Sequence, residues 1–439
     1  MILHNLKKPE QQVSFLDAVR LGLGEQQGLF FPTQWPSLDI PALLALPLVP
    51  RSIALFKALV GDEVADAQIA SMLETAFVFP APLKQVTSNI ACLELFHGPT
   101  LAFKDFGARL MAGTLQIAQS KQNISHTTIV TATSGDTGAA VAQAFYNQPN
   151  VEVMILFPEG KISLLQEKLF TTLGGNIKTL AVHGDFDDCQ ALVKQVFDDR
   201  ELVAQLNINS ANSINISRIF AQVCYYFEAF SQLDSQQQKN AVFAVPSGNF
   251  GNLTAGLIAK VLGLPIKRFI AATNCNDTVP RFLLNAQWQP HPTQATLSNA
   301  MDVSNPNNWP RIQHLLDTGL IAEQDLLAVS VSEQETIEAL KRLDTQGYLS
   351  EPHAALAFHA LQKSFQAAEF GVFLGTAHPA KFQASVESIL GRSIIVPEVL
   401  LNASIKPSLN GQIAATYSAL KPHLLALQKK KPLGEVAEK

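Results

Sequence analysis

Cysteine is scarce in this chain. Four occur in 439 residues, Cys92, Cys189, Cys224 and Cys275, and they are far apart with no CxxC pair. That excludes a zinc ribbon and a disulfide framework, and the four are expected to be buried free thiols. Long apolar runs are also missing. None approaches the roughly 18 to 20 residues that a membrane-spanning helix needs, and the richest early stretch, residues 40–50, is short and holds prolines. Positive charge is not in excess: 32 Lys and Arg against 37 Asp and Glu leave 32 − 37 = −5, the opposite of what a polynucleotide-binding chain shows. Neither a nucleic acid nor a membrane is therefore expected as a partner. Lys7 and Lys8 precede any long apolar segment, and Glu10, Asp17 and Glu25 spoil a transit-peptide composition, so a cytoplasmic location is expected. There is no HExxH, no GxSxG elbow and no P-loop, so no metal site or α/β-hydrolase nucleophile is indicated.

What the chain does have is core material. Apolar residues make up 47% of it, charged residues 16%, and the mean hydropathy is +0.13, which rules out disorder for most of its length. The first ninety residues carry apolar clusters at helical spacing, closed by Pro80 and Pro82, and predict a mostly helical N-terminal domain, all-helical or mixed. From about Ala91, short β-rich runs alternate with amphipathic helical runs, the pattern of an α/β protein with parallel sheets and crossover helices. Residues 127–133 form one such run. It breaks at Ser134, Gly135, Asp136, Thr137 and Gly138 before a helix from Ala139, while residues 241–245 break at PSGNFGN before a helix from Leu253. Asp185 is expected to cap a helix to Phe197, and Ser332 with Glu335 forms a capping box. The Lys429 to Lys431 run reads as a solvated tail.

Ligands of open parallel sheets bind beyond the carboxyl ends of the strands, where helix N-termini offer N–H groups and positive dipole ends. The turn from Gly248 to Asn252 suits a phosphate monoester, because its glycines allow close backbone approach and the helix that follows adds its dipole. The turn at Ser134 to Gly138 suits a carboxylate. Lys104 lies between Phe103 and Phe106; apolar neighbours would desolvate its amine and lower its pKa, the condition for a Schiff-base lysine, although a surface lysine has the same local spacing. His97, His353 and His378 read as hydrogen-bonded or surface histidines.

Taken in order, HGPTLAFKDFG around Lys104, TATSGDTGAAV from Thr131, PSGNFGN from Pro246 and LGTAHPAKF from Leu374 resemble the threonine synthase family, pyridoxal-phosphate enzymes of the tryptophan-synthase β-like fold (fold type II). The likeness runs from the N-terminal NL-K and QGLFFP segments to about Gly391. It implies two three-layer α/β lobes: residues 1–90 as an N-terminal domain, 91–110 with 216–439 as the large cofactor-binding domain, and 111–215 as the small one. It further implies pyridoxal 5'-phosphate as cofactor, bonded to Lys104, with its phosphate on Gly248, Asn249, Phe250 and Asn252 and its ring nitrogen facing Thr376. Ser134, Asp136 and Thr137 would hold the substrate's carboxylate, and Lys161 and Arg109 are the candidates for a substrate phosphate. The implied reaction is γ-elimination and β-addition, from O-phospho-L-homoserine and water to L-threonine and phosphate, in a monomer or homodimer. Within the fold, a serine or threonine dehydratase or a β-replacing synthase is the nearest rival, and outside catalysis a homologue that only binds.

Overall fold

The computed structural model describes residues 1–427; the Lys429 to Lys431 run lies outside them. Two sheets dominate. The larger has six strands in the order Leu326–Ser330, Arg268–Thr273, Ala241–Pro246, Phe370–Gly375, Ile90–Glu94 and Leu83–Thr87, all parallel except the last. The smaller has five parallel strands, in the order Gly411–Ala414, Ile177–His183, Val151–Pro158, Thr127–Ala132 and Ile208–Asn209. The central strands of both are buried on each face and read as unbroken apolar runs, as parallel sheets covered by helices require. Both predicted caps are present: Asp185 exchanges hydrogen bonds with Asp188, and Ser332 with Glu335, each a reciprocal capping box.

The N-terminal region takes the mixed form of the sequence reading, and two lobe boundaries differ from it. The N-terminal region carries its helices, Leu48–Val60 and Asp66–Ala76 among them, beside a three-stranded antiparallel sheet of Lys8–Ser14, Ile2–Asn5 and Phe30–Pro32. The segment KPEQQVS shows no apolar alternation because it is a partly exposed edge strand, where a proline is tolerated. The large lobe does not keep everything from 216 to 439. Gly411–Ala414 pairs with Ile177–His183, and Leu420, Leu424 and Leu427 of the helix Tyr417–Leu427 share the smaller lobe's core with Val182, Cys189 and Leu192. A four-residue edge strand has too few side chains to announce its partner. The boundary at 110/111 falls inside one continuous helix, Lys104–Gln122.

All four cysteines are free; Cys92, Cys189 and Cys224 are buried, whereas Cys275 is exposed. No described helix is long and apolar enough to cross a membrane.

Candidate active site

The carboxyl ends of the two sheets meet at one pocket. Phe103, Lys104, Ser134, Asp136, Thr137, Asn212, Ser213, Arg218, His353 and Thr376 line it, together with the run Gly248 to Asn252. Lys104 opens the helix Lys104–Gln122 after a tight turn in which Leu101 takes a left-handed φ of 57°. That turn is stitched to the end of Phe370–Gly375: the Phe103 amide donates to the Thr376 carbonyl at 2.9 Å, and Ala102 bridges Ala377. Asp105 braces it from the other side, accepting from the Thr100 amide at 2.9 Å and the Thr100 hydroxyl at 2.6 Å. A side chain at Gly98 would strike the Asp105 carboxylate, with Oδ2 2.4 Å from its Cβ, so glycine is required.

The Lys104 amine stands near the Phe103 ring, 5.7 Å from its centroid. Burial, with Arg218 and Lys381 nearby, brings its pKa down to about 8 against the opposing pull of Asp136. Because only the neutral amine is nucleophilic, the rate of cofactor uptake by the apoprotein is expected to rise with pH through about 8 and level off above it. Stopped-flow absorbance across pH 6 to 10 measures this.

Across the pocket, the strand Ala241–Pro246 gives way to the 247–250 turn, and Phe250 adopts a left-handed φ of 60° as the N-cap of the helix Gly251–Val261. The turn fits closely against its wall, since a Cβ on Gly248 would lie 2.7 Å from Met301 Cα. His353 holds that wall: its Nε2 accepts from the Ala300 amide at 3.2 Å, and its Nδ1 meets the buried Glu351 carboxylate at 2.5 Å. It is thus a hydrogen-bonded histidine, as expected. Asn252 is oriented by two phenols. Its Oδ1 accepts from Tyr225 at 2.7 Å and Tyr226 at 2.8 Å, while its Nδ2 is buried with no partner among the described residues. Such an orphaned donor at a helix start is what an anion would complete.

The second turn is clamped by Thr133, whose hydroxyl oxygen accepts from the Gly135 and Gly138 amides at 2.9 and 2.7 Å. The Ser134 and Thr137 side chains line the pocket as expected. Asp136 does not fit the expectation that its side chain serves a substrate carboxylate. Although burial pushes its pKa up, the ammoniums of Lys381 and Lys104 hold it well below the usual carboxylate range, and an ionised carboxylate can only accept hydrogen bonds.

Arg109, unlike Asp136, is absent from this pocket. It lies on the far side of its helix, where Nε donates to the Ala76 carbonyl at 2.8 Å and Nη2 to that of Thr75, closing the C-terminus of Asp66–Ala76. Arg109→Met is therefore expected to cost about 1 kcal/mol of stability while leaving the substrate KM within about twofold, as urea denaturation and steady-state kinetics can check. Lys161 is exposed in an adjoining cleft lined by Thr296, Asn299, Glu333 and Lys381. That cleft borders the main pocket through the 295–302 segment, which also supplies Ala300 and Met301.

Two buried cations escaped the sequence reading. Arg218 is 2% exposed, lines the pocket, and has an Nε with no partner among the described residues; burial lowers its pKa to about 10. Lys381 is fully buried beside Asp136. Lys381 falls within LGTAHPAKF, and its placement between Pro379 and Phe382 was the available signal.

Fold and pocket together describe a two-lobed α/β enzyme in which a largely buried amine faces an anion cradle. The model of the family described as pyridoxal-phosphate dependent enzyme matches residues 75–372. A threonine synthase from Serratia marcescens is 56% identical over 97% of this chain and all of its own length. Among solved structures, threonine synthase from Escherichia coli superposes with a TM-score of 0.94 at 54% identity, covering 97% of this chain and 100% of that one. Pyridoxal-phosphate-bound threonine synthase from Brucella melitensis gives 0.89 at 32% identity, covering 98% of this chain and 100% of that one. The chain belongs to the pyridoxal-phosphate-dependent enzymes and, within them, to the threonine synthase family. Its cofactor is pyridoxal 5'-phosphate, and the pocket fits that group: a low-pKa amine for the aldehyde, and the unpartnered Asn252 Nδ2 at a helix start for the phosphate.

Proposed function

We propose that this chain converts O-phospho-L-homoserine and water to L-threonine and phosphate. The observation that carries the reading is the Lys104 amine facing the 248–252 cradle, in a chain 56% identical over nearly its whole length to a protein named threonine synthase. Bound there, the cofactor supplies a conjugated electron sink for charge developing on the substrate carbons. Lys104 would bond the cofactor at rest and, once displaced by the substrate's amine, would move protons, taking one from Cα and one from Cβ so that the phosphate leaves Cγ with the C–O electron pair. Those two protons return, one at Cγ and later one at Cα, while water gives its hydroxyl to Cβ and its other proton to the released phosphate. A pKa of about 8 suits an amine that must both accept and donate near neutral pH. Ser134 and Thr137 orient the substrate's carboxylate, and Gly248, Asn249, Phe250 and Asn252 hold the cofactor's phosphate. Thr376 would offer the ring nitrogen a neutral hydroxyl, a group that does not promote its protonation as a carboxylate would. The substrate's own phosphate is assigned to Lys161, exposed in the adjoining cleft.

The test is to assay the purified enzyme with O-phospho-L-homoserine, L-threonine and L-serine in parallel, quantifying phosphate, threonine and keto acid. Equal release of phosphate and threonine from the first substrate is expected. Keto acid from L-threonine or L-serine without turnover of the phosphorylated substrate would instead assign a dehydratase.

A further inference from the structure

Lys381 belongs to the 3₁₀ turn Pro379–Phe382, just beyond Thr376, and its side chain is wholly buried. Its Nζ lies 2.5 Å from Asp136 Oδ1 and donates to the Thr100 carbonyl at 2.8 Å. Thr100 is the residue that braces Asp105 beside Lys104. Asp136 opens the helix Asp136–Phe145 of the smaller lobe and also accepts from Gln166 Nε2 at 2.9 Å. The main chain repeats the connection: the Lys381 carbonyl accepts from Ser163 Oγ at 2.9 Å, and Ser163 caps the helix Leu164–Thr171 that carries Gln166. One residue of the larger lobe is thereby bonded to two helix starts of the smaller lobe and to the turn that presents Lys104. Stability alone does not favour an ion pair at this depth, where an apolar pair of similar volume would avoid the desolvation of both charges.

We propose that Lys381 is a positioning residue of the active site: it sets the spacing between the 134–138 turn and Lys104, and it occupies the Asp136 carboxylate so that this carboxylate does not pair with the Lys104 amine. The proposal rests on the roles read above for Lys104 and that turn. The charged and titratable groups around Lys104 are Asp136 on the helix Asp136–Phe145, Arg218 on the helix Ile216–Ser231, His353 on the helix Pro352–Ser364, and Lys381 itself. Asp105, on Lys104's own helix, is taken up by Thr100. Removing the Lys381 charge leaves Lys104 as the cation whose field still reaches Asp136, so the protonated amine gains.

The experiment titrates pyridoxal 5'-phosphate uptake by the apoprotein against pH, reading the visible band, and measures KM for O-phospho-L-homoserine on the reconstituted enzymes. Lys381→Met is expected to move the uptake midpoint about one pH unit higher, and Lys381→Arg to leave it in place. The double variant Lys381→Met with Asp136→Asn removes both charges; its midpoint is expected at or below that of the wild type, because the pull of Asp136 on Lys104 outweighs the repulsion from Lys381, while its KM stays at least about tenfold higher, the spacing being lost. An unmoved midpoint in Lys381→Met, a midpoint above the wild type's in the double variant, or a wild-type KM in the double variant overturns the proposal. Should Lys381→Met fail to fold with Asp136 buried alone, the double variant's KM decides. A wild-type enzyme that makes no threonine refutes the functional reading instead, and the uptake midpoints then still decide the charge role.

Discussion

Lys104→Ala is expected to lower threonine formation by at least about a thousandfold and to leave purified protein without the visible band of covalently held cofactor. Both effects come from one atom. The amine that bonds the cofactor is also the only side-chain base read here for the proton transfers, and loss of a positioned general base typically costs about a hundred to ten thousandfold. The fold should survive. Lys104 begins its helix, and its side chain lines the pocket with no carboxylate ion pair among the described residues to break. Phosphate and threonine assays on matched preparations, with absorbance and circular dichroism, separate lost chemistry from lost structure. Near-wild-type turnover would show that another group carries the protons.

Asn252→Asp should act on cofactor affinity, weakening it by about a hundredfold or more. The wild-type amide turns its Nδ2 outward because both phenols donate to its Oδ1. A carboxylate keeps those two bonds but replaces the free donor with a second negative oxygen, directed at a phosphate. It loses a charge-assisted hydrogen bond of about 1.5–3 kcal/mol and adds repulsion where little water screens it. Equilibrium titration of the apoprotein with pyridoxal 5'-phosphate measures the change, and Asn252→Ala, which removes the donor without adding charge, should fall between the two. An Asn252→Asp protein with wild-type affinity would place the cofactor's phosphate elsewhere.

The elements that carry the chemistry were legible because each is local. A β-branched run ending in SGDTG and an apolar run ending in PSGNFGN announce strand, turn and helix within about twenty residues, and they stand as Thr127–Ala132 with Asp136–Phe145 and Ala241–Pro246 with Gly251–Val261. Partnerships between distant positions were not legible. Nothing near Asp136 marks Lys381 as its counter-ion, and nothing in GQIA marks Ile177–His183 as the strand it would join. Arg109 shows the converse: a cation near Lys104 in sequence invites a role that its position on the helix denies, because five residues on an α-helix rotate a side chain by about 140°. Lys104 and Arg218 have their proton affinities set by burial, a property of the assembled lobes that local sequence records only as apolar neighbours.

The strand Gly411–Ala414 lies against Ile177–His183, with Gly411 beside Leu180, and the chain between them builds most of the larger lobe. During synthesis the smaller sheet therefore waits with one edge open while more than two hundred residues are made, and an open parallel edge is a template for the wrong partner. Closing it late is a contact of high sequence separation, the kind that slows folding. The pocket between the lobes thus inherits an order of assembly: its larger wall can be complete before the sheet that supports the other gains its last strand.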